Sequence, residues 1–222
     1  VLELISHLQL GVDVLHLHDW QTAMIAPLYR EKYAMHPWYD NIKLVFTIHN
    51  IAYQGKADPR IVNSIFGLPD YLYENGNLQN DNCFNMMKSA ILYSDIITTV
   101  SPTYAKEILT DEFGEGLQYI LRTRANDLYG ILNGIDYAVN DPSTDKNLVA
   151  NFDLEHLDKK IENKLALQRE CGLEENPDIP LIGVVTRLTW QKGLDLIINR
   201  LQEMLSRDVQ LVILGAGDYQ YE

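Results

Sequence analysis

Short, almost entirely apolar runs alternate with amphipathic stretches along this chain of 222 residues. Such runs are typical of strands that are covered on both faces of a sheet. The pattern predicts six strands, at residues 12–18, 43–48, 95–100, 130–132, 181–186 and 209–214. Since strands that alternate with helices form βαβ units, the predicted fold class is α/β with parallel sheets.

Two of the intervening stretches have apolar residues at the i, i+3, i+4, i+7 spacing of an amphipathic helix. The clearer one predicts a helix at residues 194–205. The other predicts a helix at residues 154–170, which Gly172 is placed to end because glycine readily adopts the conformation that follows a helix.

A polar, turn-rich segment at residues 136–146 is the best candidate for a linker. Four predicted strands precede it and two follow it, so we predict two α/β domains, 1–138 and 139–222, neither of them complete. The sequence starts with Val1 rather than Met and ends shortly after an apolar run. It is therefore expected to be a piece of a longer protein.

Composition narrows the possible functions. The net charge is −13, and the few Lys and Arg residues are scattered, which argues against general nucleic-acid binding. No apolar run approaches the about 18 residues of a membrane span, so the sequence predicts a soluble, cytoplasmic protein. Cys83 and Cys171 lie far apart and in no C-x-x-C arrangement, so free thiols are expected.

In open α/β sheets ligands bind beyond the carboxyl ends of the strands. Arg187 follows one predicted strand, and Lys192 precedes Gly193 and the start of a predicted helix. Two cations near a helix N-terminus predict a phosphate site, with ordinary solvated loop cations as the alternative. A second turn, Gly215-Ala-Gly217-Asp218, could bring backbone N–H groups to the same ligand, although a plain turn would give the same sequence.

Histidines follow the first two strands. His16 and His18 alternate on one strand beside Asp19, which raises the alternative of a metal-dependent hydrolase. Against it, no compact group of further His, Cys, Asp or Glu residues supplies the other ligands. For His49, at the end of the next strand, the alternative to a functional role is an ordinary hydrogen-bonded histidine. The sequence contains no G-x-S-x-G, Walker or G-x-G-x-x-G motif.

Five motifs in order make the sequence similar to the bacterial glycogen synthases and plant starch synthases. They are HDWQT (18–22), FTIHNIAYQG (46–55), TVSP (99–102), GILNGID (130–136) and TRLTWQKG (186–193). The resemblance spans the whole chain but covers only the middle of the family's length. The family's Lys-Thr-Gly-Gly-Leu loop is missing in front, and its Glu-containing donor-sugar segment is missing behind.

The resemblance implies a GT-B architecture of two Rossmann-like domains that face each other across a cleft. It implies transfer of glucose from ADP-glucose to the non-reducing end of an α-1,4-glucan with retention of configuration, without a metal or cofactor. Residues 1–138 would then belong to the acceptor-side synthase domain and 139–222 to the nucleotide-sugar-binding domain. Two alternatives stay open: an inactive fragment with at most nucleotide binding, and a related GT-B glycosyltransferase with another nucleotide-sugar donor.

The resemblance also implies roles for individual residues. Arg187 and Lys192 would neutralise the pyrophosphate of the donor, His49 would lie beside the glucose, and Asp19 would be the acidic residue of the sugar site. The remaining substrate-binding residues implied in this way are Asn133, Gly134, Gly215, Gly217 and Asp218. In contrast, Tyr53 and Gln54 are expected to shape their loop, and Gln21 stands where many members have His.

Overall fold

A computed structural model describes residues 1–221, and within them nine strands form three sheets. The strands are β1 (Val14–His18), β2 (Lys43–Ile48), β3 (Lys56–Ala57), β4 (Gln79–Asn80), β5 (Cys83–Asn85), β6 (Ile96–Thr99), β7 (Leu128–Gly130), β8 (Leu181–Val185) and β9 (Gln210–Leu214).

Most of the helices in the same residues are short. The α-helices are α1 (Leu2–His7), α2 (Asp19–Ala23), α3 (Ile25–Leu28), α4 (Ile61–Ser64), α5 (Tyr71–Glu74), α6 (Met86–Tyr93), α7 (Pro102–Glu107), α8 (Gln118–Thr123), α9 (Lys160–Glu170) and α10 (Leu194–Leu205). A π-helix covers Tyr29–Tyr33, and 3-10 turns cover Pro37–Tyr39, Ala125–Asp127, Leu157–Lys159, Trp190–Lys192 and Tyr219–Tyr221.

The chain divides into two compact units, Val1–Gly134 and the residues from Ile135 onward. The sequence placed a domain boundary after residue 138, within the same turn-rich region. In the first unit β1, β2, β6 and β7 form one parallel sheet in that order. The prediction of a parallel sheet is thus confirmed for all four strands of this unit.

One of these strands is shifted from its predicted position. β7 covers Leu128–Gly130 instead of residues 130–132. A side chain on Gly130 would come within 2.3 Å of the carbonyl oxygen of Ser101, so this glycine allows the strand to pack against the start of α7. Beyond it the N–H of Ile131 still bonds to the sheet, at 2.8 Å from the Thr99 oxygen.

The first unit also contains an antiparallel sheet of β3, β5 and β4 that the sequence pattern did not predict. Its strands are two or three residues long, too short to show a periodicity. It lies beside a separate apolar cluster, whose buried members are Met24, Val62, Leu68, Leu72, Leu78 and Phe84. The larger cluster packs along the parallel sheet, around fully buried residues such as Leu44, Phe46 and Ile97.

In the second unit β8 and β9 pair in parallel, and α10 has the predicted bounds. The predicted helix at 154–170 was wrong in its first part, because α9 begins only at Lys160. The Asp153 carboxylate accepts hydrogen bonds from the backbone N–H of Glu155 and His156, which closes a separate turn before the helix. The helix ends at Glu170, and Gly172 follows with φ +67°, as predicted.

Candidate functional site

The side chains that follow β1 and β2 meet at the carboxyl end of the parallel sheet. His18 Nδ1 lies 3.0 Å from His49 Nε2, and the two rings are in tilted contact. Asp19 Oδ1 accepts hydrogen bonds from the backbone N–H of His49 at 2.8 Å and of Asn50 at 3.4 Å. The structure therefore brings the two predicted residues Asp19 and His49 together, with His18, the last residue of β1, also in contact with His49.

A row of contacting side chains continues from this cluster along the same face of the sheet. The rings of His16 and His18 lie 4.2 Å apart, as expected for alternate residues of one strand. His16 Nε2 lies 2.7 Å from Thr47 Oγ1, which lies 2.6 Å from Thr98 Oγ1 on the next strand. Desolvation of the His16 ring, together with the neighbouring His18 and His49 rings, holds the pKa of His16 below its ordinary value.

The metal-site alternative depends on three or more ligands converging. Among residues 1–221 no group of three or more His, Cys, Asp or Glu side chains is arranged to hold a metal ion. The imidazole nitrogens are instead placed for hydrogen bonds, His18 Nδ1 to His49 Nε2 and His16 Nε2 to the Thr47 hydroxyl.

A small cavity of about 170 Å³ opens beside the histidines. His18, His49 and Asn133 line it together with Thr99 and Leu132. The predicted residue Asn133 thus belongs to the same part of the first unit as His49. Its neighbour Gly134 has open space on all sides.

A larger open pocket of about 510 Å³ lies on the loop that follows His49. Trp20, Tyr53 and Met86 supply much of its apolar lining. Gly55, at φ +64°, lies so close to the Trp20 ring that a side chain would approach a ring carbon to 2.7 Å. The loop is therefore fitted to the indole of the residue that follows Asp19.

Two side-chain hydrogen bonds of Gln54 hold this loop in place. Its side chain is buried; the amide donates to the Glu115 carbonyl at 2.8 Å, and its oxygen accepts from Asn85 at 2.7 Å. With both polar ends used inside the protein, Gln54 has a structural role. Gln21 lies exposed on α2.

In the second unit, the predicted cations lie where β8 ends and α10 begins. Arg187 and Lys192 are both exposed, and neither forms an ion pair with another residue of the described 1–221. Gly193 caps the 12-residue helix at φ +70°. The first helical N–H groups have no partner within a helix, so this position favours an anion.

The Gly215–Asp218 turn is joined to the segment that follows β8 and contains Arg187. The N–H of Leu188 donates to the Ala216 oxygen at 3.0 Å, and the N–H of Asp218 donates to the Leu188 oxygen at 2.8 Å. Side chains at Gly215 and Gly217 would come within 1.9 Å and 2.2 Å of main-chain carbonyl oxygens. These two glycines allow the close approach of the two strand ends, and the Asp218 N–H is used in that contact.

Comparison with known families decides the assignment of the chain. The family model described as the starch synthase catalytic domain matches residues 1–123, more than half of the sequence. The chain belongs to the starch synthase catalytic domain family. The predicted family is thereby confirmed.

Individual members of the starch synthase family are similar over the whole chain. A glycogen synthase from Streptococcus agalactiae is 51% identical over 221 residues, which cover 100% of this chain and 46% of that protein. One from Clostridioides difficile is 46% identical over 222 residues, again 100% of this chain and 46% of the relative. The chain thus spans about half the length of the curated relatives it matches.

A solved structure agrees in fold. The catalytic domain of starch synthase IV from Arabidopsis thaliana, bound to ADP and acarbose, matches with a TM-score of 0.89 and 39% identity, covering 99% of this chain and 45% of that one. The α/β, GT-B assignment of the fold is confirmed by this match. Within residues 1–221 no helix is both long and apolar enough to cross a membrane.

Some features of the candidate site were not predicted from the sequence. The pairing of His18 with His49, the Thr47–Thr98 contact and the Trp20 pocket all depend on residues from different strands or loops. The one available signal was the alternation of His16 and His18, which places both on one face of β1. Their partners follow only from the register, in which His18 lies opposite Thr47.

Proposed function

We propose that the protein containing this chain is a retaining glucosyltransferase that moves glucose from ADP-glucose to the non-reducing end of an α-1,4-glucan. The observation that carries the proposal is the pair of exposed cations Arg187 and Lys192 beside the start of α10, in a chain of net charge −13. Family membership supports the reaction type, and the related starch synthase IV structure was bound to ADP, a nucleoside diphosphate.

The second unit would bind the nucleotide sugar. When the bond between the sugar and the diphosphate breaks, negative charge accumulates on the leaving phosphate. Cations that are already in place stabilise that charge without reorganisation, which lowers the barrier. We therefore assign Arg187 and Lys192 to the pyrophosphate, and the turn from Gly215 through Gly217 to Asp218 to the nucleotide side of the same donor.

The first unit would act on the sugar. His49 and Asn133 line one cavity and are assigned to the glucose, with Gly134 in the adjoining turn. Asp19 uses one carboxylate oxygen to hold the backbone N–H groups of His49 and Asn50. This contact supports a positioning role for Asp19, and it argues against an enzyme nucleophile of the glycosidase kind.

We infer a displacement on one face of the sugar. The bond from C1 of glucose to the phosphate oxygen breaks, the bond from C1 to the acceptor O4 forms, and the departing phosphate takes the proton of that hydroxyl. Configuration is then retained without a covalent sugar–enzyme intermediate. Trapping of a glucosyl ester on Asp19 would contradict this mechanism.

The acceptor would use the pocket of about 510 Å³ that Trp20 and Tyr53 line. Binding pockets for organic ligands are mostly apolar with a few polar groups, and aromatic side chains give a large contact area. The pocket lies on the loop that begins at His49, which places it next to the proposed sugar site. The related starch synthase IV structure was bound to acarbose as well as ADP, which is consistent with a second ligand site beside that of the nucleotide.

The test is transfer of labelled glucose to glycogen, from ADP-glucose and UDP-glucose in parallel. It uses the 222-residue chain and the complete gene product that contains it. We expect transfer by the complete gene product, with ADP-glucose preferred. Preference for another nucleotide sugar would indicate a related glycosyltransferase, and no transfer from any donor would contradict the proposal. The cytoplasmic location stays a prediction.

A further inference from the structure

Two consecutive residues, His18 and Asp19, contact different parts of His49. Asp19 Oδ1 accepts the hydrogen bond of the His49 backbone N–H at 2.8 Å. His18 Nδ1 lies 3.0 Å from Nε2 of the His49 ring. We propose that His18 is a positioning residue, which fixes the ring orientation and the tautomer of His49 while Asp19 fixes its backbone. The inference rests on the proposed function where it concerns turnover.

The chemistry of the contact follows from the two atoms. A hydrogen bond between two ring nitrogens needs one proton, so one ring must donate and the other must accept. The nitrogen that carries the proton in one ring then determines the tautomer of the other. The tautomers of the two rings are therefore coupled: if His18 Nδ1 donates, His49 carries its proton on Nδ1, and if His18 Nδ1 accepts, His49 carries it on Nε2. In this proposal one of the two arrangements predominates, so that a histidine assigned to the substrate presents one chemical form.

His18 can do this because its own position is fixed. Its backbone N–H donates to Thr22 Oγ1 at 2.7 Å, and the Thr22 hydroxyl donates back to the His18 oxygen at 2.8 Å. Its ring contacts the ring of His16, which is bonded to Thr47 on β2. Side-chain contacts therefore connect His49 to the parallel sheet, in addition to its backbone connection to the end of β2.

The hydrogen bond to His49 gives the imidazole at position 18 a function beyond filling space. A ring without nitrogen at this position would fill the same space and lose the hydrogen bond. Asparagine has a side-chain amide that can take the place of Nδ1, so it would keep the bond with a smaller side chain. His18→Phe and His18→Asn therefore separate ring volume from hydrogen bonding.

The kinetic arm uses the complete gene product. Since a misplacement of about 1 Å can cost about 100-fold in rate, we expect His18→Phe to lower kcat by about 10- to 100-fold. The KM for the donor should change less than about 2-fold, because His18 does not bind the diphosphate. His18→Asn should recover most of the lost kcat. His7→Phe, at an exposed position of α1, is the matched control and should be unchanged.

The spectroscopic arm does not need activity. The protein is labelled with ¹⁵N at histidine, and the His49 signals are assigned from their loss in His49→Gln. At about pH 8 we expect a single His49 tautomer in the wild type and a mixture in His18→Phe. The wild type should also show nitrogen–nitrogen coupling across the bond from His18 to His49, a measurement that needs no variant to fold.

The outcomes separate the two proposals. Absence of the coupling in the wild type, or equal His49 tautomer populations in wild type and His18→Phe, would overturn the positioning role. Coupling in a gene product that transfers no glucose would support the His18–His49 pair and contradict the proposed function. Normal kcat in His18→Phe, in an active enzyme, would also overturn the inference.

Discussion

Asp19 adopts φ +52°, in the left-handed region that most residues avoid. Asparagine and aspartate tolerate this conformation better than other side chains, but it still costs of the order of 1 kcal/mol. Here it occurs where β1 turns into α2, and the same residue accepts two N–H groups from the His49 loop. Strained residues of this kind cluster at functional sites, which agrees with the role inferred for Asp19.

The cations of the second unit give a prediction at single residues. Arg187→Ala and Lys192→Ala, each in the complete gene product, should lower kcat by about 100- to 1000-fold, because each removes a preorganised charge from the leaving group. Steady-state kinetics with ADP-glucose measure this. Arg207→Ala is the control, since Arg207 is also exposed but pairs with Glu203 near the other end of α10. Wild-type rates in both test variants would refute the phosphate assignment.

His16 gives a prediction on pH. Its pKa in the folded chain lies below the ordinary value of 6.5, chiefly because its ring is desolvated, with His18 and His49 adding to the effect. Between the two values the unfolded chain binds more protons than the folded one, so stability is lost as pH falls through 6.5 toward the folded value.

The measurement is the free energy of unfolding between about pH 8 and pH 5. His16→Gln, which keeps a hydrogen-bonding group near Thr47, should lose less stability on acidification than the wild type. His7→Gln should follow the wild-type curve. If wild type and His16→Gln lose the same free energy of unfolding on acidification, the desolvated His16 ring does not cause this loss of stability.

At the scale of elements, the strand ends of β8 and β9 depend on two glycines. Side chains at Gly215 and Gly217 would come within 1.9 Å and 2.2 Å of the carbonyl oxygens of Thr186 and Leu188. Gly215→Ala and Gly217→Ala should therefore destabilise the second unit, each by about 1–3 kcal/mol.

Denaturant unfolding of the chain measures this effect. Gly183→Ala is the matched control, because a side chain at Gly183 on β8 meets nothing within 4 Å. A loss of stability in Gly183→Ala equal to that of the other two would show that any alanine in this sheet is harmful, and would refute the close-approach argument.

The same scale shows what the sequence could and could not predict. The six parallel strands and α10 were predictable, with β7 shifted by two residues, because apolar runs and helical periodicity are strong there. The start of α9 was not, because the Asp153 turn competes with a helical pattern that apolar spacing alone suggests. The short strands β3, β4 and β5 form through pairing with residues distant in sequence, which no local pattern contains.

The features of the candidate site also fall into a group that the sequence predicted and a group that it did not. His49, Asp19, Arg187 and Lys192 were proposed from their places in the sequence and from the family motifs. The structure places the first three just after strands and Lys192 just before α10. Their roles in catalysis stay predictions. The His18–His49 contact and the Thr47–Thr98 contact required the register of the parallel sheet, which the sequence does not determine.

At the scale of the whole molecule, the net charge of the chain is compatible with the charges of the proposed donor and acceptor. A glucan is uncharged, so an acidic chain of net charge −13 does not repel the proposed acceptor. The donor is an anion and must be met by local cations, which are present at the end of β8. The first unit carries the histidines and the aromatic pocket. These groups support the proposed division of labour between a sugar-side unit and a nucleotide-side unit.

The central claim is the transfer of glucose with retained configuration to an α-1,4-glucan. The most direct measurement follows ADP-glucose, labelled with ¹³C at the sugar C1, by NMR during incubation of the complete gene product with glycogen. The account predicts growth of the α-1,4-linked signal at the rate of ADP release. Release of free glucose, a β-linked product or no incorporation would contradict it.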